Sequence, residues 1–327
     1  MTGPVLAFIE HAGDEPDRLS LEALSVARGL AAALGAPLEA LALGSAAASD
    51  ALARALGAHG VQRVLAVEDP RLDTYAPVGW AAALRAAADD RSPAAVVAPG
   101  SDRGNEVLAH VAARTGLPMA ANVLSIEPGA TWRIVRQRWA GSLLEDAALD
   151  APMRLFSVAP HTATAAEDGG APAAVTPLAP LISDADLAVR VVRREARTGG
   201  GVSLTDAKVV VGGGRGVGSA EGFGKLEELA ALLGGAVGGS RVVTSLGWRP
   251  HADQIGQTGL RIAPDLYIAC GISGAIQHIV GCKSAKRILA INTDAESPIM
   301  AVADYAVIGD LGTIVPAISA EIQRRSA

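Results

Sequence analysis

Cysteine is nearly absent from this 327-residue chain, which has only Cys270 and Cys282. The two stand 12 positions apart, form no Cys-x-x-Cys pair and accompany no histidine cluster. A disulfide framework and a zinc site are therefore not expected, and both thiols read as reduced structural residues. Nor is there an excess of positive charge: 28 basic residues face 34 acidic ones, for a net charge of −6, and no basic patch points to nucleic acid. Long apolar runs are missing too. Those present stop well short of a membrane span, so no direct membrane insertion is expected. The first ten residues lack the basic start and cleavage site of a signal peptide, and a cytoplasmic location is the expectation. Two phosphate-binding signatures also fail. In Gly212-Gly213-Gly214-Arg215-Gly216-Val217-Gly218 no start gives Gly-x-Gly-x-x-Gly, and Gly224-Lys225 has Ser219 and Leu226 where a P-loop needs glycine and a hydroxyl residue.

What is present is a soluble-type composition, 50% hydrophobic and 19% charged, in a chain long enough for two cores. Apolar runs alternate with amphipathic stretches from the start. The pattern predicts strands at 5–9, 38–43, 61–67 and 94–98, with helices at 19–34, 50–56, 78–88 and 105–115. Such alternation argues an α/β domain with a parallel sheet. After Pro118 strands at 123–126, 132–139 and 153–158 follow without long helices between them, which fits an antiparallel extension or cap. The turn Pro99-Gly100-Ser101-Asp102-Arg103-Gly104 has the geometry of an anion seat, but a tight strand-to-helix connection explains it better. Residues 161–204 shift to Ala, Thr, Pro and Gly and read as a connecting segment with room for one more strand of the first sheet. Gly199-Gly200-Gly201 breaks the chain, so the expected domains are 1–200 and 201–327.

The second domain opens with a β-rich run at 207–211 that ends in the glycine stretch and Arg215. A helix follows, with Phe223, Leu226, Leu229, Ala230 and Leu233 at helical spacing, and then a β-rich piece at 242–244. Strands at 288–291 and 306–308 and a helix at 313–322 complete it. The most informative stretch is 254–278. Leu266–Cys270 has the length and content of a buried parallel strand; it ends at Gly271 and passes through Ser273-Gly274 into a short helix. Ser273 reads as an N-cap and Gly274 as a point where a ligand approaches the backbone, with Gln277 and His278 facing outward. Arg215, Ser273, Asn292 and Asp310 thus all fall at carboxyl ends of predicted parallel strands, where open α/β sheets bind nucleotides.

Three segments in order, Ile255-Gly256-Gln257-Thr258-Gly259, Leu266 through His278, and Ala290-Ile291-Asn292, closely resemble the alpha subunit of electron transfer flavoproteins. The likeness is close over 205–320 and looser before 190. It implies an α/β fold of two domains: an N-terminal parallel-sheet scaffold without a cofactor, and a C-terminal doubly wound, Rossmann-like FAD-binding domain. It also implies an electron carrier rather than a substrate-converting enzyme. The partners it implies are a beta subunit, which relatives equip with AMP, flavin dehydrogenases such as acyl-CoA dehydrogenases of fatty acid oxidation as donors, and a membrane quinone oxidoreductase as acceptor. By matching position, Ser273, Gly274, Ala275, Ile276 and Gln277 would hold the pyrophosphate, and Asn292, Asp310 and Leu311 the adenosine end. Ile255, Gly256, Gln257, Thr258 and His278 would surround the ribityl chain and the pyrimidine side of the flavin, Thr258 near N5 and His278 near O2. Ser240 and Arg241 would lie against the isoalloxazine ring, with Arg215 close by.

Each role has a plainer counterpart. His278 as a capped helix residue, Asn292 as a strand end and Arg241 paired with Glu221 are the alternatives, and His11, His59, His110, His161 and His251 gain no role from the likeness. Departures exist: relatives carry an acidic residue near Thr244 or Ser245, and a lysine where Thr293 stands. Two other functional readings stay open on the sequence, a subunit of an electron-bifurcating flavoprotein and a non-redox dinucleotide-binding module.

Overall fold

The fully buried run Val5–Phe8 (β1) places Val5 and Ala7 in one core and Leu6 and Phe8 in another, so the first sheet is covered on both faces. The computed structural model describes residues 3–193 and 202–326, and the chain divides into two compact units, Met1–Ala196 and Arg197–Ala327. After β1 come a small antiparallel hairpin, β2 (His11–Ala12) and β3 (Glu15–Pro16), then α1 (Arg18–Leu34), β4 (Leu38–Leu43), α2 (Asp50–Ala58), β5 (Arg63–Val67), α3 (Pro77–Arg91), β6 (Ala95–Pro99) and α4 (Asp102–Thr115). Asp17, Ser49 and Ser101 cap α1, α2 and α4 by accepting a backbone N–H. The first unit continues with β7 (Met119–Glu127), β8 (Trp132–Arg138), β9 (Leu143–Leu149), β10 (Arg154–Val158) and β11 (Ala174–Pro177). The nine-stranded sheet runs β11-β5-β4-β1-β6-β10-β7-β8-β9.

The antiparallel extension is confined to β7, β8 and β9, whereas β10 inserts parallel between β6 and β7. Within the connecting segment β11 lies parallel to β5 at the sheet edge, as foreseen for one strand of that stretch. The turn at 99–104 is a tight connection: Ser101 Oγ caps α4 and also donates to the buried Glu10 carboxylate, which leaves no seat for an anion. Gly199-Gly200-Gly201 and the boundary near 200 lie outside the described residues.

The second unit contains β12 (Val209–Gly213), α5 (Phe223–Leu232), β13 (Ala236–Gly239), α6 (Arg241–Ser245), β14 (Leu266–Cys270), α7 (Ile276–Cys282), β15 (Ile288–Asn292), β16 (Tyr305–Ile308) and α8 (Leu311–Ser326). All pairings are parallel in a five-stranded sheet ordered β13-β12-β14-β15-β16. The chain steps from β12 outward to β13 and then crosses back to β14, so the topological switch lies between the carboxyl ends of β12 and β14. Residues 242–244, expected as a β-rich piece, instead form the middle of α6. Ser240 is its N-cap position, and Val243 turns inward among Val211, Phe223 and Leu226 while Val242 stays exposed; helical packing overrides the β-branched preference.

Candidate functional site

Where β12 and β14 end, their loops are laced together: Gly214 N–H donates to the Cys270 carbonyl at 2.9 Å and Gly216 N–H to that of Gly271 at 3.1 Å. Beside this junction opens a cavity of about 840 Å³, within the range of small-molecule and cofactor sites. Its far wall is the 254–260 loop, held to β13 by Ile255 N–H on the Gly239 carbonyl (2.8 Å) and to α7 by Gln257 N–H on the Gln277 carbonyl (2.7 Å).

Of the residues singled out from sequence, Arg215, Ser240, Arg241, Ile255, Gly256, Gln257, Thr258, Ser273, Gly274, Ala275, Gln277, His278 and Asn292 line this cavity. Ile276, Asp310 and Leu311 are not in its lining. Ile276 is exposed on the outer side of α7, Leu311 is buried against Val315, and the Asp310 carboxylate accepts from Thr313 at the start of α8. That bond and the Gly312 amide hold the Asp310 carboxyl below its usual range.

Two local expectations, for Ser273 and His278, are corrected. Ser273 is not a helix cap: α7 begins at Ile276 with Ala275 as N-cap, and the Ser273 carbonyl instead accepts from Ile299 N–H at 3.0 Å. Gly274 lines the cavity, and its lack of a side chain has a further reason in the fold. Its φ is +79°, and a Cβ there would press on the Ile299 backbone, 2.6 Å from its Cα, because Ile299 packs directly behind the turn. His278 does not face outward; it is 7% exposed, and its Nε2 lies 2.8 Å from the hydroxyl of the fully buried Tyr267. Gln277 is exposed as expected.

Burial pushes the His278 imidazole down to about 4, opposed more weakly by the Ile255 carbonyl, so the ring is neutral at pH 7. Its Nδ1 is buried without a hydrogen-bond partner of acceptable geometry. Thr258 belongs to a second short chain, in which Thr244 Oγ1 lies 2.9 Å from Gln254 Oε1 and Gln254 Nε2 donates to Thr258 Oγ1 at 2.9 Å. Arg215 and Arg241 are exposed at the cavity mouth, and among the described residues neither guanidinium has an ion pair; Glu221 bonds Ser219 instead. Asn292 is spoken for within the protein: its amide donates to the Ile272 carbonyl (3.0 Å) and to Ser297 Oγ (3.2 Å), and its oxygen accepts from Asp294 N–H (3.1 Å). Burial pushes both thiols, Cys270 and Cys282, up to about 12, which suits inert core residues.

Sequence reasoning missed Gln254, Tyr267, Asp294 and Ser297. For Tyr267 a signal was available: a hydroxyl inside an otherwise apolar strand needs a buried partner. Gln254 stands one position before the matched motif and carried none.

Residues 203–283 match the family model for the electron transfer flavoprotein FAD-binding domain, and residues 5–181 match that for the electron transfer flavoprotein domain. The chain belongs to the electron transfer flavoprotein alpha-subunit family. It is 37% identical to the electron transfer flavoprotein subunit alpha of Bacillus subtilis over 84% of each chain. It is 36% identical to that of Mycobacterium leprae over 98% of each, and 34% identical to the protein FixB of Clostridium saccharobutylicum over 97% of this chain and 95% of that one.

As a member of this family the alpha subunit binds FAD, pairs with an electron transfer flavoprotein beta subunit and carries electrons rather than converting a substrate. The residues present fit the cofactor. The cavity sits at the sheet's switch point, and its lining includes His278 and two guanidiniums, those of Arg215 and Arg241, that have no ion pair among the described residues and suit a polar, anionic ligand. Among the described residues no helix is long and apolar enough to cross a membrane, and no group of metal-ligating side chains is found.

Proposed function

We propose that FAD lies in the β12/β14 cavity with its isoalloxazine ring among Arg241, Ser240, Thr258 and His278, and its pyrophosphate over the 273–277 turn. The Ile276 and Gln277 amides at the start of α7, where helix geometry leaves backbone N–H groups without intrahelical partners, bind the phosphates there, and Arg215 adds positive charge. The adenosine end extends toward Asn292, Asp310 and Leu311. Asn292 acts mainly by holding the 292–297 turn in shape, since its own amide is committed to protein groups. The observation that carries this reading is the pair of exposed guanidiniums, Arg215 and Arg241, in the lining of a cofactor-sized cavity at the switch point, neither with an ion pair among the described residues: unpaired positive charge there suits an anionic dinucleotide.

The cofactor supplies the redox chemistry, and the protein supplies binding, orientation and field. Thr258 receives the Gln254 amide proton on its oxygen and keeps its own hydroxyl proton to donate. Arg241 places positive charge where negative charge accumulates on reduction. The donors are flavin dehydrogenases, acyl-CoA dehydrogenases among them, and the acceptor is a membrane quinone oxidoreductase. Residues 1–200 act as the scaffold that meets the beta subunit, whose own site carries AMP, and residues 201–327 hold the flavin.

Exchange with large partners requires the flavin edge to stay open in this chain and to be closed by the second subunit. The test is to express the alpha subunit alone and with its beta subunit, and to compare flavin content. Retention only in the pair supports the reading; a fully flavinylated monomer that transfers electrons contradicts it.

A further inference from the structure

Tyr267 and His278 form a closed pair in the core of the second unit. The tyrosine has no exposed surface, and its hydroxyl lies 2.8 Å from His278 Nε2. Gly212 on the neighbouring strand packs directly on the phenol: a Cβ there would overlap the hydroxyl oxygen. Among the described residues the imidazole is the hydroxyl's hydrogen-bond partner.

A phenolic proton in such a place must go to that nitrogen, because a buried donor left without an acceptor loses its hydration with nothing in return. Nε2 then accepts, and a neutral ring carries its one proton on Nδ1. The reverse arrangement, Nε2–H donating to the hydroxyl oxygen, strands the phenolic proton against apolar neighbours. The geometry favours the first tautomer, and in it the Nδ1–H is buried near the Ile255 carbonyl without a hydrogen bond of acceptable geometry, on a ring that lines the cavity.

We propose that Tyr267 is a positioning residue whose hydroxyl holds His278 in the Nδ1–H tautomer, so that the ring presents a hydrogen-bond donor to a carbonyl-type oxygen of the bound cofactor. The identity of that oxygen's owner rests on the flavin reading; the tautomer does not. Tyr267 acts on the ligand only through the histidine, one hydrogen bond removed.

The test uses the whole heterodimer with FAD bound and its histidines labelled with nitrogen-15. The His278 signals are assigned by their loss in His278→Gln. Long-range proton–nitrogen spectra are expected to show Nδ1 in the protonated, pyrrole-type range and Nε2 in the lone-pair, pyridine-type range. Tyr267→Phe keeps the ring and removes only the hydroxyl; it is expected to shift at least about half of the population to Nε2–H. Loss of one neutral hydrogen bond to the ligand would weaken FAD binding about five- to tenfold. A wild-type ring protonated on Nε2, or a tautomer unchanged in Tyr267→Phe, overturns the proposal, and the first of these needs no variant to fold. A tautomer that shifts while FAD affinity stays the same overturns the placement of His278 against the cofactor and leaves the Tyr267 assignment standing.

Discussion

Gly274→Ala should unfold the second unit more readily as well as loosen FAD. A methyl group at this position does not point into the cavity but into the backbone of Ile299, 2.6 Å from its Cα, and the residue holds φ at +79°. The left-handed conformation costs an alanine about 1–2 kcal/mol, and forcing a methyl into packed backbone adds about 1–3 kcal/mol. The sum, about 2–5 kcal/mol, corresponds to a fall in melting temperature on the order of 10 °C for a domain of this size. The assay is thermal melting of the heterodimer stripped of flavin, followed by FAD titration of the same preparation. Both quantities should fall together, because the 273–277 turn that Gly274 shapes is also the turn that receives the phosphates. An unchanged melting temperature in the stripped protein, with FAD affinity down tenfold or more, would show that the glycine clears space for the ligand and that the Ile299 contact yields freely.

Arg241→Ala should lower the one-electron potential of the flavin while FAD remains bound. A unit charge about 4 Å from developing negative charge is worth about 4 kcal/mol at an effective dielectric of 20 and about 1 kcal/mol in water. At about 59 mV per 1.4 kcal/mol this gives about 40 to 170 mV, and the exposed side chain favours the lower end. Spectroelectrochemical titration reads the shift, and Arg241→Lys should recover part of it. His278, held near 4 in the folded state against 6.5 when free, binds fewer protons folded than unfolded. Stability should therefore rise with pH between about 4 and 6.5 and be flat above, with up to ~3 kcal/mol lost on acidification through that window. Denaturant titrations of wild type and His278→Gln across the window check it, since the variant should lose that share of the slope. Gln254→Leu removes the amide between Thr244 and Thr258 and leaves both hydroxyls without it, for a cost of about 1–3 kcal/mol. Melting curves should register that loss, and equal FAD affinity with an unaltered potential would detach Thr258 orientation from Gln254.

The layering of the fold was legible because parallel strands buried on both faces must be continuous apolar runs: Leu38–Leu43 and Leu266–Cys270 have the bounds that their composition predicts. The same logic misread 242–244, where three β-branched residues follow a serine that starts a helix, and it passed over β13, whose Ala-Val-Gly-Gly sequence carries little strand signal. At the site, the ordered motifs placed the 254–278 wall, but not the direction in which its groups point. Nothing in the order Ser273-Gly274-Ala275-Ile276 tells that Ile299, a quarter-century of residues downstream, packs behind the glycine and delays the helix to Ile276. Nor does a local pattern tell that His278 turns inward to Tyr267. Both are tertiary facts, set by neighbours from other strands and loops. Asp310 shows the converse: its place just after a strand's end follows from the sequence, while its contact with Thr313 at the start of α8 does not.

The central claim is that the β12/β14 cavity of this alpha subunit seats FAD in a heterodimer. The most direct measurement is the visible spectrum of the purified alpha–beta pair, quantified against protein, with the same pair carrying Arg215→Ala and Gln277→Pro alongside it. Flavin bands at close to one FAD per alpha-subunit cavity are expected in the wild type, with a marked loss in the double variant. A pair that folds and associates but stays colourless on FAD titration, or a double variant that holds FAD as tightly as the wild type, would contradict it.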